Sequence, residues 1–257
     1  MDLLSSYIVH QADNALILGH RNSEWTGHGP ILEQDIALSN IALDLIGQAR
    51  NFYQLAAKRL NELTPGENIT EDLLAYMRDV HEFRNCILVE QINGDWAQTI
   101  LRQFYFSTYQ FLLYKELLNS THFEIAAISE KSLKETRYHV KWSSEWVLRL
   151  GDGTEESHKR MVEAMRILNP SIPELFIASG FEYEAEASRA GILPETLKDE
   201  WYQRVNTLLE SATLPVISAG KYPLQILSGK NGVHSEHLGY LLAEMQVLQR
   251  TYPGSNW

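Results

Sequence analysis

Between Pro65 and Pro170 the chain contains no proline, and glycine in that stretch is limited to Gly66, Gly94, Gly151 and Gly153. Proline removes a backbone donor and clashes with the preceding turn, and glycine costs helix entropy, so this stretch is free to form long helices. Apolar spacing says where they lie. In 31–62, Leu38, Ile41, Leu45, Phe52 and Leu55 recur at three-and-four intervals, the pattern of a buried helical stripe. A second segment, about 95–119, is rich in Phe, Tyr and Leu; a third, about 122–150, carries Ile128, Trp142 and Trp146 on one face. So few residues separate these two that they are expected to pair antiparallel. Residues 3–20 form a further helix, closed by the Gly19–Asn22 and Gly27–Pro30 stretches, with Pro30 suited to open the next one. Residues 70–84 read as a crossover helix, and shorter helices follow at 155–168, 173–190, 195–211 and 234–250. No sustained period-2 alternation appears, so the fold class is all-α: a four-helix bundle with a long crossover and extra C-terminal helices. With no repeat, low-complexity tract or linker, 1–257 reads as one domain.

Composition narrows the function. Twenty-two Lys and Arg against 33 Asp and Glu leave a formal net charge of −11, which repels nucleic acid and anionic membrane surfaces. The lone Cys86 excludes an internal disulfide and fits a reducing cytoplasm. No run approaches the roughly 18 consecutive apolar residues of a membrane span, and Met1–Asp2 opens no basic-then-apolar signal, so a soluble cytoplasmic protein is expected.

A large helical bundle raises the question of a di-metal site, which needs a carboxylate from each of two helices and Glu-x-x-His from each of the others. The chain has one Glu-x-x-His, Glu155 to His158, after the turn 151–154, where an acid complements a helix N-terminus better than it binds iron. Asp44 and Gln48 sit among Ile41, Leu45 and Phe52; Glu135 and His139 share a stripe with Ile128, Trp142 and Trp146. These four read as a buried polar layer that fixes helix register, against the alternative of a metal or proton-relay site. His234 and His237 lack an evident third ligand, so an exposed or capping role is expected. Residues 90–95 read as a turn and N-cap. There is no phosphate loop or nucleophile elbow, and Cys86 has no convincing catalytic partner.

A family resemblance rests on Glu24–Pro30, Leu43–Asn51, Leu88–Gln91, Lys134–His139, Leu150–Thr154, His234–Gly239 and Leu242–Arg250, ending at Trp257. In order and over nearly the whole chain, these segments resemble the C subunits of the phenylacetyl-CoA epoxidases. The resemblance implies a ferritin-like bundle and a multicomponent complex that epoxidises the ring of phenylacetyl-CoA. In such a complex a homologous catalytic subunit holds the di-iron centre, and NADPH, FAD and a 2Fe-2S cluster act in a separate reductase. Laid on the catalytic subunit's ligand pattern, this chain has Asn14 at the first carboxylate, Leu45 and Gln48 at the first Glu-x-x-His, Ser107 at the third-helix carboxylate, and Thr136 and His139 at the last pair. The resemblance thus implies a chain that is non-catalytic, binds no cofactor of its own and stabilises its catalytic partner; it leaves open whether the isolated chain is a homodimer. An autonomous ferritin-like di-metal oxidase, or a helical scaffold unrelated to oxygenation, are the other readings. The aromatic run Tyr105, Phe106, Tyr109, Phe111 and Tyr114 is expected either to face the partner or to be buried within the bundle.

Overall fold

The computed structural model describes residues 1–218, 220 and 228–255. Among them every regular element is helical; two isolated bridges, Pro65 with Glu67 and Ser228 with Val233, do not extend into strands. The described residues form two compact units, Met1–Gln91 with the described part of Leu227–Trp257, and the described part of Ile92–Ile226.

The first unit is built on a hairpin of α1 (Leu3–Ser23) and α2 (Leu32–Leu63). Asp2 caps α1 by accepting from the Ser5 N–H at 3.2 Å. Pro30 falls before α2, in a loop where the Gly29 N–H donates to Asp35 at 2.9 Å. A Cβ at Gly19 would lie 3.3 Å from the Ala42 carbonyl and 3.1 Å from Ile46, so glycine lets the two backbones approach closely there. α1 is buried on nearly every side, whereas α2 buries a stripe and leaves the rest in solvent. The expected crossover helix at 70–84 is broken into α3 (Glu71–Tyr76) and a 3₁₀ turn, Val80–Glu82. The break has two local causes: Arg78 turns inward to a buried carboxylate, and Glu82 accepts from the Asp79 N–H at 2.7 Å, which starts the new turn. A short α4 (Ile87–Glu90) then follows, where sequence reasoning had only a turn beginning at Glu90.

In the second unit α5 (Trp96–Leu117) and α6 (Phe123–Gly151) form the expected antiparallel pair, with Trp96 edge-on to Trp142 and Trp146 at 6.0 and 5.7 Å. Asp95 caps α5, accepting from the Gln98 N–H at 2.9 Å. α7 (Glu155–Leu168) packs on α5, followed by α8 (Ile172–Leu175), α9 (Gly180–Ala187) and α10 (Lys198–Ser211). The single helix expected over 173–190 is therefore two. Ser179 and Glu182 form a capping box that starts α9 afresh. α10 is anchored by Trp201, whose indole N–H donates to the Tyr105 carbonyl at 3.0 Å. α11 (Glu236–Thr251) belongs to the first unit.

Candidate functional site

Each of the six positions that the resemblance assigns to metal ligands is buried in its own unit. In the first unit Asn14 is committed to structure. Its Oδ1 accepts from the Cys86 N–H at 2.8 Å, and its amide donates to the His10 ring at 3.2 Å. The His10 Nδ1 lies 2.5 Å from the Arg84 carbonyl, so Nδ1 carries the proton and Nε2 accepts from Asn14. Leu45 is an alkyl group against Gly19, and Gln48 is buried one turn further along α2. In the second unit the Ser107 hydroxyl turns back to the Phe104 carbonyl at 3.4 Å. Thr136 and His139 lie on a buried polar face of α6 that also carries Ser129, Ser132 and Ser143.

The donor set at these positions is two amides, an alkyl group, two hydroxyls and one imidazole. A di-iron centre needs several carboxylates to neutralise its charge, so these residues do not fit one. The four-residue polar layer needs correcting: Gln48 and His139 are buried, but Asp44 and Glu135 are only half-buried. An ionised carboxylate is costly to enclose unless it is paired, so each stays at the margin of its helix's buried stripe.

Other candidates resolve into structure. Glu155 is exposed and pairs with Lys159 at 2.6 Å, while the His158 Nδ1 meets the Gly151 carbonyl at 2.8 Å. Of the five aromatics, Tyr105, Phe106, Tyr109 and Tyr114 are buried, so they form core rather than a docking face; Phe111 is half-buried. Burial pushes the Tyr114 phenol up, keeping it neutral. His234 is not exposed. Its Nδ1 meets Glu90 at 2.8 Å and its Nε2 the Phe83 carbonyl at 3.0 Å, while Glu90 also accepts from the Ser235 N–H at 2.6 Å and the Asn85 amide at 2.9 Å. This cluster fastens the start of α11 to α4.

Sequence reasoning missed a dense buried polar network. Asp13, wholly buried, accepts from the Tyr53 hydroxyl at 2.5 Å, the Arg84 N–H at 2.7 Å and Arg78 Nη1 at 3.1 Å, and also from Arg78 Nη2. Burial and the Asp13 charge push the Tyr53 phenol up, so it stays a donor. The partners of Asp13 lie 40, 65 and 71 residues away, so no local spacing could have announced them.

By fold this is an all-α, ferritin-like chain, and the positions that the resemblance assigns to metal ligands carry no carboxylate. A family model for phenylacetic acid catabolic proteins matches residues 2–257, and the chain belongs to that family. It is 42% identical, over 257 residues and the full length of both chains, to the C subunit of the 1,2-phenylacetyl-CoA epoxidase of Escherichia coli strain K12. No helix among the described residues is long and apolar enough to cross a membrane.

Proposed function

We propose that this chain is a non-catalytic, supporting subunit of a phenylacetyl-CoA epoxidase complex in aerobic phenylacetate catabolism, working in the cytoplasm beside a homologous di-iron subunit. One observation carries the reading. The six ligand positions offer Asn14, Leu45, Gln48, Ser107, Thr136 and His139, with no carboxylate among them, and Asn14 and Ser107 already serve the chain's own backbone. The family match and the full-length similarity to the Escherichia coli protein support the assignment to the complex. In this reading the iron belongs to the partner, and the flavin and iron–sulfur cluster that relay electrons from NADPH belong to a reductase. The chain contributes a stable helical body. An obligate pairing of two such subunits would bury on the order of 2,000 Å² or more.

The test is elemental analysis of the chain expressed alone and together with a homologous di-iron subunit, followed by an epoxidation assay with and without it. Less than about 0.1 metal per chain alone, with ring epoxidation lost on its omission, is the expected outcome; two metals per chain would establish an autonomous di-metal protein instead.

A further inference from the structure

The second unit holds a groove of about 960 Å³ between α5, α6 and α10 that the ligand positions do not explain. Phe104, Phe111, Val140 and Leu208 give it an apolar lining, and hydroxyls of Thr108, Ser144 and Thr207 stand among them. This size and mixture are typical of a small-molecule site.

The walls also carry charge. Arg137 and Lys141 lie four residues apart on one face of α6, where like charges repel, and among the described residues neither side chain has a hydrogen bond or ion pair. Elsewhere on the surface, Lys159, Arg160 and Arg166 are each ion-paired with a carboxylate three or four residues away, whereas Lys141 forms no ion pair with Glu145 four residues on. Arg204 lies on the groove too, but it is spent on Glu200 at 2.8 Å and on the Phe111 ring at 5.5 Å. Asp199 is the remaining charge, on the opposite wall. Three cations against two carboxylates leave the lining net positive on a protein of net charge −11. A positive concavity in an acidic surface concentrates anions, and the low net charge of the lining favours a single negative charge over several.

We infer that this groove binds a singly charged organic anion with an extended aromatic or aliphatic body, its charge set between Arg137 and Lys141 and its body on Phe104 and Phe111. The site is independent of whether the chain supports a di-iron partner.

The probe is 1-pyrenebutyrate, with neutral 1-pyrenebutanol as comparator, titrated against the full chain by fluorescence. Saturable one-to-one binding of the acid is expected. Exchanging both cations in Arg137→Gln/Lys141→Gln should weaken it about tenfold, the size expected for two solvent-facing charge contacts. Lys131→Gln/Lys134→Gln, on the same helix but off the groove, should bind as wild type. All four side chains are exposed, so the variants should fold, which a thermal melt checks. Equal binding of the alcohol, an undiminished affinity in the Arg137/Lys141 variant, or no binding of the acid at millimolar concentration would each overturn the assignment.

Discussion

Replacing Asp13 with Asn would test how much of the first unit depends on one buried charge. Both carboxylate oxygens are in use: Oδ1 accepts from the Tyr53 hydroxyl and Arg78 Nη2, Oδ2 from Arg78 Nη1 and the Arg84 N–H. An asparagine has one acceptor oxygen, so however the amide turns, two donors face an N–H₂ group. Arg78 would then be a buried cation without its counter-ion. Its other hydrogen-bond and ring partners, the carbonyls of Leu74 at 2.5 Å and Glu82 at 2.9 Å, the Tyr53 hydroxyl at 3.1 Å and the Phe83 ring at 4.1 Å, carry no formal charge, and only the more distant Glu82 carboxylate offsets it. Removing one member of a buried pair costs about 3–5 kcal/mol, against a total of roughly 5–15 kcal/mol for a domain. At this chain length that corresponds to a fall in Tm of about 10 °C. Urea titration followed by circular dichroism at 222 nm measures the loss, and Arg78→Met completes a double-mutant cycle. The double variant should be more stable than the sum of the single losses implies by about 2 kcal/mol, because each single change strands the other group. Additive losses, or a cost for Asp13→Asn below about 1 kcal/mol, would refute the claim that the pair acts as a unit.

Three further outcomes follow from named contacts. The His20 ring is half-buried with its Nε2 fully enclosed, and desolvation lowers its pKa to about 4. Its neutral form is favoured in the folded chain, so stability present above pH 6.5 declines as pH falls toward 4. At most about 3 kcal/mol is at stake, less what residual solvent screens, and His20→Gln should flatten a pH series of urea midpoints over that window. Glu90→Ala strands the His234 ring, the Ser235 N–H and the Asn85 amide, costing about 3 kcal/mol. Limited proteolysis should then cut near α11 first, and a cleavage order like that of wild type would contradict the fastening role. At Gly229 a Cβ would collide with the Asn85 carbonyl, so Gly229→Ala should lower the melting temperature by several degrees, read by scanning calorimetry. An unchanged melt would mean that the 228–233 turn shifts freely.

The long helices, their pairing and the all-α class were legible in the chain because helix periodicity and proline placement are local properties. Leu38, Ile41, Leu45 and Phe52 state their common face through spacing alone, and Asp95 and Thr154 announce helix starts through the N–H groups just after them. What tertiary structure decided is where charges go. Asp13 and Arg78 look like surface residues in sequence, and Glu90 and His234 lie 144 residues apart; each pair is enclosed only because distant segments meet and exclude water. Asp44 and Glu135, expected inside, stop half-way, because a helix stripe defines a direction but not the depth at which neighbours close over it. The groove beside Arg137 and Lys141 depends likewise on α10 lying along α5 and α6, a packing that no local pattern encodes.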